Sequence, residues 1–223
     1  MVTNLAYFFE TAKKVRGGKW VWVKDSNGES RNNILLGGTI ANPNKGFGHL
    51  WAAQLMQYTP GQPILIFRSF APSKASGATD TTIYIKGDGY SDAPEVGQIL
   101  MVAPDAATTK GQSGKVTAVK YNAENEEFTV TLDTAIGALT TDSILVEAKG
   151  SAASATAEVL CPKPNIFNEA DREMLPTEGY GFQNANYSVS GVYNKQAWIA
   201  RMQPLPKYVL AYNRSLIDGI FWI

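Results

Sequence analysis

The chain has 223 residues but only one histidine and one cysteine, so nucleophilic and general-base chemistry has few starting points. His49 lies in GFGHLWAAQ, and imidazole is the side chain that titrates nearest neutrality. No nucleophile stands in a recognisable relation to it: Cys161, in VLCPKPN, lacks the local pattern that surrounds catalytic cysteines. His49 is therefore read as a structural or helix-end residue. Carboxylates gather in KGDGYSDAPE, where Asp88, Asp92 and Glu95 share a glycine-bearing loop of the kind that can hold Ca²⁺. They miss the alternating acids and closing glutamate of an EF-hand loop, so a solvated turn is the expectation. GGTIANPNKGFG contains Lys45 but no Gly-Lys followed by Ser or Thr, and reads as a loop rather than a phosphate cradle. Asp171 and Glu173 are the acids a hydrolase would use, yet on the short helix expected there they point in different directions. The expectation is no enzyme, with no catalytic, cofactor-binding or metal-binding residues.

The charge balance narrows the partners. Twenty basic residues offset 20 acidic ones, leaving no field to draw in nucleic acid or an anionic membrane. No apolar run reaches the roughly 20 residues of a membrane-spanning helix, and MVTNLAYFFETAKKVRGGK lacks the layout of a secretory signal. These features predict a soluble protein made in the cytosol. A single cysteine excludes an intrachain disulfide, so stability has to come from packing or from partners.

The elements that position these residues read as mainly β with a few short helices. Leu5, Phe8, Phe9, Ala12 and Val15 recur at helical spacing before Gly17-Gly18. KWVWVK then predicts a strand, with Asn27-Gly28 as a hairpin turn. HLWAAQLMQY predicts a helix from His49 to Tyr58, and ILIFRSF a strand from Ile64 to Phe70. A small, polar stretch over 71–82 marks a boundary. Beyond it GQILMVA, GKVTAVKYN, EEFTVTLD and DSILVEA predict four short strands, with a hairpin loop over Asn122–Glu126. The two-residue period assigns Val116, Ala118 and Lys120 to one face and Thr117, Val119 and Tyr121 to the other. GSAASATAEV is a linker or a β-edge, and a short helix is expected from Asn168 to Leu175.

The domain expectation is a compact barrel or roll over 83–149, inserted in or following an N-terminal α+β part, with C-terminal strands packing back. Residues 1–82 and 150–223 then form a discontinuous base, because each piece is too small to fold alone. The C-terminal end is aromatic and apolar to its last residue, and Leu5, Phe8 and Phe9 raise the same question of burial at the other end. IDGIFWI would forfeit on the order of 1.5–3 kcal/mol for each large apolar side chain left in water. It must therefore complete this chain's own sheet or dock into another subunit. Phe8, Phe9, Trp198, Phe221, Trp222 and Ile223 are the expected partner contacts.

The segment from Gly97 to Ala148, with its VGQILMVAP opening, GKVTAVKYNAENEEFTVTL hairpin and DSILVEA closing strand, resembles small β-domains of tailed-bacteriophage virion proteins. Those domains occur in capsid decoration, auxiliary capsid and head-fibre proteins. NEADREMLPTEG and the aromatic, Asn-rich tail are similar to capsid-associated proteins of phages of gut bacteria. The resemblance implies a structural protein in the virion capsid, made in the bacterial host cytoplasm. It would bind the major capsid protein and copies of itself, in many copies, stabilising the capsid or anchoring fibres. It implies no direct nucleic-acid or membrane contact, and the family has no shared functional motif to carry over. The alternative is a glycan- or host-surface-binding module of a fibre, using Trp20, Trp22, Trp51, Trp198 and Trp222 to stack on sugar rings.

Overall fold

The computed structural model describes residues 55–57, 59, 62, 64–87, 93–164, 204–209 and 211, and the backbone of further short strands named below. In chain order the strands are β1 (Trp22–Lys24), β2 (Ile34–Leu36), β3 (Ile40–Ala41), β4 (His49–Leu50), β5 (Leu55–Gln57) and β6 (Ile64–Ile66). Next come β7 (Ser69–Phe70), β8 (Thr82–Lys86), β9 (Ile99–Val102), β10 (Gly111–Asn122), β11 (Glu127–Leu132) and β12 (Leu145–Glu147). The last are β13 (Ala152–Ala157), β14 (Ile166–Asn168), β15 (Arg172–Glu173), β16 (Ala185–Ser188), β17 (Gly191–Tyr193) and β18 (Ile220–Trp222). The protein is mainly β, and the largest sheet is antiparallel.

Its seven strands run β7-β12-β9-β10-β11-β8, with β13 paired to the start of β10. The sequence pattern explains which strands lie in the middle. β8 alternates, sending Ile83 and Ile85 into one core, as expected of a strand with one wet face. β9 and β12 do not alternate, because both of their faces are covered. Leu100 and Leu145 join the core with Ile83, Val116 and Val130, whereas Met101 and Val146 join a second core with Phe67, Cys161 and Tyr208.

β10 carries the curvature. Between Val116, opposite Leu132, and Ala118, opposite Thr131, the register slips. The extra residue reverses the facing of the rest of the strand. Val119 therefore packs against the same core as Val116, correcting the strict two-residue assignment. Just before this point Gly114 passes so close to β11's exit that a Cβ would collide with the Thr134 carbonyl oxygen. At the far end the expected hairpin loop forms. The Asn122 side-chain oxygen accepts from the backbone N–H groups of Glu124 (2.9 Å) and Asn125 (3.3 Å). Glu126 closes the loop in the left-handed region, at φ 48°.

The expected barrel is not formed, since no sheet closes on itself. β7 is only two residues long, and Pro72 comes soon after it without an N–H to donate. Between this segment and β8 at the opposite edge there is an isolated bridge, Pro72 to Ile85, and hydrogen bonds from Lys86 N to Ala71 O and from Ser73 N to Tyr84 O.

The remaining strands interleave distant sequence. A six-stranded sheet runs β2-β16-β14-β5-β6-β3, and a three-stranded one runs β1-β17-β18. β1 and β2, which flank Asn27-Gly28, thus lie in different sheets, so they do not form the hairpin expected of them. The helix expected over His49–Tyr58 is replaced by β4 and β5, and that over Asn168–Leu175 by β15 with β14 ending at Asn168. In both runs pairing with distant strands overrides local helical propensity. The helix expected over residues 5–15 lies outside the described residues. Helical geometry is found at residues 207–209.

Gly114→Ala is expected to destabilise the protein by roughly 2 kcal/mol or more, because backbone must move to admit the methyl group. Glu126→Asn, which relaxes a left-handed residue, should be neutral or stabilising by up to about 1 kcal/mol. Urea unfolding of the two variants checks both.

Candidate functional site

ILIFRSF does not run as one strand. β6 ends at Ile66 in the six-stranded sheet and β7 begins at Ser69 in the seven-stranded one, so Phe67 and Arg68 are the crossover between sheets. Both are buried, Arg68 at 1% exposure. Bringing a guanidinium into an apolar interior is costly unless its charge is matched. The match comes from β12, where Glu147 places Oε2 3.6 Å from Arg68 Nε. Gln98, also buried, donates its side-chain N–H to Glu147 Oε1 at 2.9 Å. Gln98 is itself fixed by a turn: its backbone N–H donates to Glu95 O, and its side-chain oxygen accepts from Glu95 N.

Around this cluster lies a small crevice lined by Ile66, Phe67, Val146, Cys161 and Tyr208 together with the ion pair. It leaves no room for a water molecule. Cys161 is buried within it, and burial, reinforced by the nearby Glu147 charge, pushes its thiol well above the usual range. A thiol held protonated is a poor nucleophile. Tyr208 closes one side: its hydroxyl donates to Cys161 O at 3.4 Å, and burial pushes its phenol far up as well. The arrangement ties the crossover, β12, the Cys161 segment and Tyr208 together.

A second polar cluster closes the gap between the edges of the large sheet. Glu127, at the start of β11, accepts from Ser73 Oγ at 2.5 Å and from Lys74 Nζ at 2.8 Å. The Lys74 ammonium also lies 4.4 Å from the centre of the Tyr84 ring. The Lys74 bond, seconded by that from Ser73, holds the Glu127 carboxyl below its ordinary value of 4.5.

The residues singled out in the sequence fall elsewhere. His49 and Glu173 are register partners where β4 meets β15, a juxtaposition that spacing along the chain did not suggest. Asp171, Asp88 and Asp92 lie outside the described residues, and Glu95 serves in the Gln98 turn. Among the described residues, no group of three or more His, Cys, Asp or Glu side chains can hold a metal ion. Of the expected contact residues, Phe8, Phe9, Trp198 and Ile223 lie outside the described residues, while Phe221 and Trp222 are in β18, parallel to β17. Sequence reading missed Arg68, Gln98 and Glu147. The signal was a lone arginine in the apolar run ILIFRSF and a lone acid in ILVEA. No family model matches the chain, and no curated protein matches it.

Arg68→Met alone, which takes the guanidinium away from the buried Glu147 carboxylate, is expected to cost about 3–5 kcal/mol. Adding Glu147→Gln should recover part of that loss, and a double-mutant cycle in urea measures the coupling. Glu127 supplies a pH signature. Its depressed carboxyl contributes stability in full above about 4.5, its unfolded value, and that contribution is lost as pH falls through the lower folded value. The stability difference between wild type and Glu127→Gln should therefore shrink on going from pH 7 to about pH 3.

Proposed function

We propose that this chain is a structural protein of a bacteriophage virion, an auxiliary or decoration protein bound to the capsid in many copies, which it stabilises or to which it anchors fibres. The observation that carries this reading is the resemblance of Gly97–Ala148 to the small β-domains of such proteins. The character of the same segment supports it. Two of its strands, β9 and β12, are covered on both faces, and its buried polar groups, Gln98, Ser113, Glu127 and Glu147, are hydrogen-bonded within the chain. A rigid unit of this kind suits repeated display and packing. Its partners are the major capsid protein and further copies of the chain.

In mechanism, affinity comes from apolar and aromatic burial at subunit boundaries, and repetition over the particle adds avidity. The contacts we assign are Phe8, Phe9, Trp198, Phe221, Trp222 and Ile223. Among the described residues β18 stands last in the order of its sheet, with β17 on one side, and so presents a strand edge as well as apolar residue types.

Light scattering on gently purified native material tests the reading: a megadalton particle containing this chain is expected, and a free 24.2 kDa monomer overturns it. Deleting residues 220–223 should abolish capsid association while the seven-stranded sheet stays folded; normal association of the truncated chain removes the tail from the contact set.

A further inference from the structure

Residues 204–209 reach the second core from far away in sequence. Ser69 Oγ donates to Pro204 O at 2.6 Å across a separation of 135 residues, and Tyr208 bonds Cys161 O across 47. Tyr208 and Val209 are buried against Phe67, Val146 and Cys161, with Leu205 half-buried beside them. An exposed ion pair, Lys207 Nζ to Asp105 Oδ1 at 2.9 Å, fastens the outside. The manner of attachment differs from that of every strand around it. Pro204 and Pro206 have no N–H to donate, which suits the segment poorly to a sheet ladder. Its described long-range bonds are formed by side chains, and its described backbone bond, Val209 N to Pro206 O, is internal.

Ladder bonds in a sheet break together, whereas a segment held by side chains can leave while the ladders stay intact. We infer that residues 204–209 are a latch over the crossover between the two sheets, one that opens and closes as a unit while the seven-stranded sheet remains folded. Opening uncovers Phe67, Val146 and the Arg68–Glu147 pair, and with them Cys161, which serves only as the reporter. In the closed state its thiol is out of water and protonated, hence slow to react.

The experiment tracks the rate at which a thiol reagent labels the full-length protein as denaturant is raised, with global unfolding recorded by circular dichroism. Cys161 is the only cysteine in the chain, and Cys161→Ser gives the blank. In wild type, labelling at low denaturant should be at least about tenfold faster than global unfolding permits, and nearly independent of denaturant. Ser69→Ala and Tyr208→Phe, which each delete one latch bond, should raise that rate severalfold without changing the slope of the global transition. Tyr208→Ala should raise it further. The inference is overturned if labelling tracks global unfolding, with the same denaturant dependence, in wild type and in the two mild variants.

Discussion

Arg68 and Glu147 are held out of water at the point where the chain leaves one sheet and enters the next, and much of the architecture around them results from that. A buried guanidinium tolerates few displacements. If β12 slipped by one residue against β9, where Glu147 lies opposite Leu100, the carboxylate would turn to the other face and away from the arginine. The Gln98 bond extends this constraint to the turn before β9. The pair thus costs more to desolvate than an apolar replacement would, yet it ties the crossover, β12 and the entry to β9 into one register.

The large sheet owes its shape to features that act on backbone rather than on charge. A register slip in β10 turns Val119 back towards the core that Val116 already occupies. The absent side chain of Gly114 lets β10 pass the end of β11. The segment after β7 meets β8 only through an isolated bridge at Pro72 with its two flanking backbone bonds, and the contact is completed by the Ser73–Glu127–Lys74 cluster. The sheet is accordingly curled and held at its edges without the continuous ladder of a barrel. β13 obeys the same logic: only Gly111 and Ser113 of β10 pair with it, opposite Ala157 and Ala152, so residues 153–156 bulge from the ladder and are exposed. A bulged strand is a poor template for unwanted pairing.

Two modes of attachment therefore coexist. Strands are joined by ladders, which resist piecemeal loss, while the 204–209 segment is joined by side chains to a core that already has both sheets in it. In the building-unit role we propose, the first mode would supply rigidity and the second a place where the unit can yield.

The strands from Ile83 to Glu147 and the loop at Asn122 were legible in residue order alone, because β-branched periodicity and turn chemistry are local properties that survive without knowledge of neighbours. Composition likewise settled that one cysteine forms no intrachain disulfide. The pairing of strands became visible only in the folded chain. HLWAAQLMQY and EADREML have helical composition but become short strands, since a strand's stability resides in the segments beside it; β5 lies between nearby β6 and distant β14, and β4 pairs with β15 more than a hundred residues away. The same reason hid the Arg68–Glu147–Gln98 cluster: a lone arginine in ILIFRSF and a lone acid in ILVEA look like interruptions until folding brings them within reach of each other.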